Sequence, residues 1–329
     1  MRKYIFVLVL AVVFVFALAS TASANGGPHG GYTATTDACA GCHRAHTASG
    51  PKLLVQTTTY ALCMSCHGST ATGADTNVQD GFFMSTRGAS TVGTPNTTDN
   101  APLLAGGFGF YKTVAVTSSH DMTGAGNTNL AWGNGVTNRG TQVAITDTLF
   151  TCASCHDPHG SPNYRIMKAT VNGAAVAVAQ VDEDPAGCVP APGTPACLKD
   201  YDTEKWGAGQ SNICKACHAA YHKTGLGQGS TQDGTTYTHR VDMAYTYGAN
   251  ANPETVGMGG LTLPLAETGT NNTVACQTCH LPHGSSAAMS GIANGGPTGT
   301  GTLPGNTTAT DSALLRLQNR AVCEVCHQK

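Results

Sequence analysis

One five-residue frame, Cys-x-x-Cys-His, occurs six times in this chain, at Cys39–His43, Cys63–His67, Cys152–His156, Cys214–His218, Cys276–His280 and Cys323–His327. Every Cys-x-x-Cys is followed directly by histidine, and twelve of the 14 cysteines are used this way. Two thiols and an imidazole held in so short a frame converge on a bound group, so six such groups constrain the fold before any apolar pattern does. Zinc sites use Cys-x-x-Cys pairs, but they have no need of an adjacent histidine at every pair. Thioredoxin-like redox sites place one Cys-x-x-Cys near a βαβ pattern, and no such pattern surrounds these. The third chemistry, covalent c-type haem, uses the whole frame. The two cysteines form thioethers to the porphyrin and the adjacent histidine becomes the proximal iron ligand. On that reading the chain binds six haem c. The thioether residues are Cys39, Cys42, Cys63, Cys66, Cys152, Cys155, Cys214, Cys217, Cys276, Cys279, Cys323 and Cys326, and the proximal ligands are His43, His67, His156, His218, His280 and His327.

The remaining histidines are candidates for the opposite face of each iron: His29, His46, His120, His159, His222, His239 and His283. His159 follows His156 by three residues, and side chains three apart on a helical turn point the same way. It cannot cross its own haem and is expected on a neighbouring one, so the haems must abut. The placement of these histidines also repeats, which is a reason to divide the chain by repeat first. His46, His159 and His283 each trail a frame by three residues, while His29, His120 and His239 each lead the same three frames. The other three frames lack both flanking signals, apart from His222. The chain therefore divides into three dihaem modules, 25–110, 111–235 and 236–329. Three leading and three trailing histidines supply six distal ligands for six haems. His222 is then surplus, or it replaces another, with His29 the alternative. Met122 and Met243 lie close to leading histidines and read as packing residues, because the imidazoles suffice.

Arg2 and Lys3 precede an apolar run from Tyr4 to Ala19, and Ala22 and Ala24 then form an A-x-A cleavage site. The run is shorter than the roughly 18 residues a spanning helix needs. Residues 1–24 are therefore expected to be a signal peptide on an exported chain with no stable membrane anchor. Only 11% of the chain is charged, against about 25% in typical domains. A net charge of −2 offers no nucleic-acid footprint. Cys188 and Cys197 flank "VPAPGTPA" with no histidine after either. Export and a Pro-rich loop favour a disulfide there over two buried free thiols.

Long stretches such as "GIANGGPTGTGTLPGNTTATD" carry neither helical nor strand periodicity. The expected fold is that of a multihaem cytochrome c: mostly irregular loops and short helices around a haem core, with little β structure. Helices are expected over "TYALCMSCH" and "SNICKACHAAYH", and a longer one from an Asp311 cap through "SALLRLQNRAVCEVCH".

With six frames, the "CHDPHG" run continuing to Arg165, and a leading histidine near the expected mature N-terminus, the chain resembles the doubled-CXXCH multihaem cytochromes. It resembles in particular the hexahaem, filament-forming outer-surface cytochromes of metal-respiring bacteria. The resemblance implies electron transfer along a continuous haem chain, a homopolymer on the cell surface or outside the cell, and redox proteins or extracellular acceptors as partners. In that family a haem at the end of a subunit is expected to take a histidine from the next copy, for which His46 and His29 are the candidates. Imidazole on both faces saturates the iron and leaves no substrate position, so no enzymatic activity is expected. Two alternatives stand beside this: a monomeric periplasmic shuttle, and a multihaem oxidoreductase with one open iron position.

Overall fold

The computed structural model describes residues 29, 37–70, 74, 76–84, 102–124, 129–134, 142–179, 206–222, 239–245, 253–254, 261–268, 271–289, 312–318 and 321–327. The leader over residues 1–24, the cysteines Cys188 and Cys197, and Asp311 lie outside the described residues. Every Cys-x-x-Cys-His frame and every histidine lies within them.

Each frame is carried by a short helix: α1 (Asp37–Ala40), α2 (Thr59–His67), α3 (Cys152–Cys155), α4 (Ser211–Cys217), α5 (Cys276–Cys279) and α6 (Ala321–His327). In α1, α3, α4 and α5 the histidine N–H donates to the carbonyl of the frame's first cysteine, at 2.7–3.0 Å. One turn thus closes on itself and brings both thiols and the imidazole together. Thr58 caps α2, its hydroxyl accepting from the Ala61 N–H at 3.0 Å. Ser154 and Thr278 brace α3 and α5 by accepting from the N–H of Thr151 and Ala275. These single turns cannot hold themselves. Their stability comes from what each is tied to.

The tie is a turn that occurs three times. Lys52–Leu53, Arg165–Ile166 and Ala313–Leu314 all hold positive φ, between 48° and 62°. L-residues adopt this region at a cost of about 1–2 kcal/mol each. What holds them there is a repeated ladder. The second residue of each pair accepts from the N–H just after the proximal histidine: Arg44 to Leu53, Asp157 to Ile166, Leu281 to Leu314. Leu54, Met167 and Leu315, next in sequence, pair across from His43, His156 and His280.

The third of these turns overturns the helix expected from residue 311 through His327. Ser312–Leu315 is a left-handed turn tied to α5, and among the described residues of that span helix forms over Ala321–His327. Local periodicity was outweighed by backbone bonds that reach back more than thirty residues, such as Leu281 N–H to Leu314. The helices expected over "TYALCMSCH" and "SNICKAC" are present as α2 and α4, the latter followed by a 3-10 turn at Ala219–Tyr221.

The strands described are two to four residues long. Five two-stranded pairs accompany one four-stranded sheet among the described residues, ordered Trp206–Gly207, Ala266–Thr268, Asn271–Val274, Met243–Ala244. Its first pair is parallel and the other two are antiparallel. Among the described residues the apolar clusters are small, and two of them pack against frame cysteines. Tyr164, Met167, Val171 and Ile213 pack with Cys155 and Cys217, while Leu263, Val322 and Val325 pack with Cys279 and Cys326. A chain with so little contiguous core needs a further source of cohesion.

Candidate functional site

Ten of the histidines face one another in five pairs. The ring centres of His29 and His67 are 6.2 Å apart, those of His43 and His159 6.1 Å, and those of His120 and His218 6.3 Å. His156 and His283 are 6.3 Å apart, and His239 and His327 6.4 Å. These separations are too long for contact stacking and too uniform for coincidence. Two imidazoles bound to one metal by bonds of about 2 Å, each ring centre about 1.1 Å further out, stand roughly 6.2 Å apart. Each pair joins one frame histidine to one histidine outside the frames. The two imidazoles of a pair would hold an iron between them, and the two cysteines of the frame would anchor a porphyrin. The residues therefore fit a covalently attached haem, and none of the twelve frame cysteines is in a disulfide.

The second nitrogen of the rings supports the same fit. Nδ1 of His43, His67, His156, His218 and His280 lies 2.8–3.1 Å from the carbonyls of Lys52, Thr76, Arg165, Trp132 and Ala313. Among the outer histidines, His29, His120 and His239 do the same to Pro158, Pro282 and Arg240, at 3.0, 2.6 and 2.8 Å. A carbonyl only accepts, so each Nδ1 carries the proton and each Nε2 presents a lone pair. That is the tautomer a metal-binding imidazole needs, fixed by an outer hydrogen bond. The left-handed turns acquire their purpose here, because they aim the Lys52, Arg165 and Ala313 carbonyls at three proximal rings.

Burial favours the neutral form of five of the histidines. It lowers the values of His120, His156 and His280, pushes His218 down to about 4, and pushes His283 down to about 3, where the nearby His156 adds to the effect.

The pairing follows one rule. Each leading histidine faces the second frame of its own module: His29 with His67, His120 with His218, His239 with His327. Each trailing histidine faces the first frame of the preceding module: His159 with His43, His283 with His156. His159 thus points away from its own frame to a neighbouring one. Three histidines remain. His222 Nε2 lies 2.7 Å from Asp242 Oδ2 with only 6% of its side chain exposed. Burial pushes the Asp242 carboxyl up, but hydrogen bonds from His222 and Ser211 outweigh it and hold the carboxyl below its usual value. His222 therefore spends its ring nitrogen on a carboxylate. His46 is exposed, and neither it nor His280 has an imidazole facing it among the described residues.

The modules are joined by seams of one design. Across each, the second frame of one module meets the first frame of the next: the thiols of Cys63 and Cys152 are within hydrogen-bonding reach, and so are those of Cys214 and Cys276. The second seam adds a strand pair, Ser118–Ser119 with Gly284–Ser285. Glycine is required there, because a Cβ on Gly284 would lie 2.4 Å from the Gly107 carbonyl.

Frame spacing alone did not identify the acceptor turns. "PKLL" and "YRIM" stand at the same distance after His43 and His156, which was a usable signal, but an insertion moves "SALL" far from His280. Asp242, the partner of His222, carried no signal at all.

A family model of the doubled CXXCH motif matches residues 32–72 and 147–174. Neither curated proteins nor solved structures give a match. The family match supports a multihaem c-type cytochrome: the motifs bind haem c covalently and serve electron transfer.

Proposed function

We propose that the protein conducts electrons along a chain of six bis-histidine haems c and assembles head to tail into an extracellular filament. The observation that carries this reading is the set of five imidazole pairs at 6.1–6.4 Å, together with the two histidines left over. Trailing histidines serve the module before their own. Among the described residues no frame stands before the module of His46 to receive it, and no trailing histidine stands opposite His280. His46 of one copy therefore completes the iron at His280 of the copy before it. The alternative donor, His29, stands 6.2 Å from His67 of its own chain and is not free to be exchanged.

Haem supplies the redox chemistry when bound. The chain supplies the rest: thioether anchors, two imidazoles per iron, and carbonyl acceptors on Nδ1 that set ring orientation and basicity. Double imidazole ligation leaves no substrate position and holds potentials below those of methionine-ligated haems. This is the basis for reading the protein as a conductor and not an enzyme. Head-to-tail contacts that do not close into a ring give open polymers. The six frames, export through the 1–24 leader and the extracellular setting belong to the same proposal.

His46→Ala tests it. The variant should retain six attached haems, show one five-coordinate haem and fail to polymerise by negative-stain microscopy. Normal filaments from that variant would refute ligand exchange through His46, and a wild type that stays monomeric at high concentration would return the reading to a periplasmic shuttle.

A further inference from the structure

The two ends of the chain are complementary beyond the two unmatched histidines. In both internal seams, the leading histidine of one module donates through Nδ1 to the carbonyl just before the trailing histidine of the next. His29 does so to Pro158 and His120 to Pro282. His239, the third leading histidine, meets no such carbonyl among the described residues and bonds to its own neighbour, Arg240, instead. The residue before the one unmatched trailing histidine is Ala45.

The frames repeat the pattern. Inside each seam the first cysteine of a second frame meets the first cysteine of the next frame, Cys63 with Cys152 and Cys214 with Cys276, and all four are partly covered. Of the twelve frame cysteines, three are exposed: Cys39 and Cys42 in the first frame, and Cys323 in the last. These are the frames that the repeat would bring together if it continued from one copy to the next.

We infer that the interface between copies is the internal seam repeated: α6 of one copy packs on α1 of the next, Cys323 against Cys39, and His239 exchanges its bond with Arg240 for one with the Ala45 carbonyl. The inference rests on the His46–His280 reading and adds the surface that surrounds it. A second copy of this chain is the occupant because each contact would be made by residues whose counterparts already make it twice within the chain. One difference is built in. Thr47 stands where the internal seams have Gly160 and Gly284, so the strand-level approach that Gly284 permits cannot be reproduced in full between copies.

Two variants and one structure test this. Ala40 occupies the position that Gln277 holds in α5, where the Gln277 side chain is buried against Gln210 across the seam. Ala40→Arg places a bulky cation there without touching a cysteine or histidine. It should keep six attached haems and raise the concentration needed for polymer by about tenfold or more. Ala45→Pro introduces the residue found at both internal positions, and should polymerise as well as wild type or better. In the filament, electron cryo-microscopy should place the Ala45 carbonyl on His239 Nδ1 and Cys323 beside Cys39. Filaments of Ala40→Arg that form as readily as wild type, or a His239 still bonded to Arg240 in the filament, would overturn the seam while leaving ligation by His46 intact. Loss of polymer in Ala45→Pro with six haems attached would also overturn it. A wild type that never polymerises would remove both readings.

Discussion

His222 discriminates most sharply between a ligand and a brace. Its Nε2 sits 2.7 Å from Asp242 in a nearly closed environment, and Ser211 links that carboxylate to the start of the fifth frame, accepting from the Cys276 N–H at 3.1 Å. Replacing His222 with leucine removes a hydrogen bond to a charged group, a loss of about 1.5–3 kcal/mol. The cost should stay below the 3–5 kcal/mol of a fully buried broken pair, about 2 kcal/mol, for two reasons. Asp242 keeps its Ser211 partner, and a quarter of its side chain reaches solvent. At about 2–4 °C per kcal/mol for chains somewhat shorter than this one, the melting temperature should fall by roughly 4–8 °C. His222→Gln keeps a donor at about the same reach and should recover much of that loss. The carboxyl's value is depressed in the fold, so this contribution is present above its ordinary value of 3.8 and fades as the pH falls below it. The gap between wild type and His222→Leu should narrow there. Thermal unfolding followed in the far-UV, with low-temperature EPR of the ferric protein, reads both effects. If His222→Leu instead produces one high-spin haem that binds carbon monoxide, His222 is an iron ligand and the pairing rule is wrong.

Intact mass of the secreted protein should equal the chain from Asn25 plus six haems, less the hydrogens of one Cys188–Cys197 disulfide. Four or five haems in matured material would contradict the three-module reading. Carbon monoxide should barely perturb the reduced spectrum of the filament at neutral pH, and a stoichiometric shift would revive an enzymatic role. In an acid titration the low-spin spectrum should persist well below pH 6.5. Burial pushes His218 and His283 down to about 4 and about 3, so the stability of holding them neutral is fully present above pH 6.5 and declines as the pH falls from there through those values, while the folded rings themselves protonate only near them. Conversion complete by pH 6 would refute it. Gly284→Ala should force the backbone at Gly107 away and destabilise the packing around Gly284 by about 2 kcal/mol or more. The five-coordinate signal should then appear at the His156 haem, and an unchanged spectrum and melting curve would disprove the close approach.

The covalent chemistry was legible in the chain because it is local. A cysteine pair and a histidine within five residues need one helical turn to converge, and any fold that forms the turn delivers the site. The three-fold order of leading and trailing histidines was legible for the same reason, since it is a matter of spacing. That His159 had to leave its own frame followed from the direction of side chains on a single turn. The tertiary structure alone decided which frame histidine each outer histidine faces, because His29 and His67 within a module, or His156 and His283 across a seam, are brought together by contacts with no signature in either segment. It also set His29 opposite His67 and His222 against Asp242, a residue with no motif around it. The failed helix at Ser312–Leu315 has the same cause: a sequence with helical spacing was bent into a left-handed turn because its carbonyls were needed by His280 and Leu281, far away along the chain. Chemistry confined to one turn can be read from neighbouring letters, whereas pairing across a gap depends on where the backbone carries each turn.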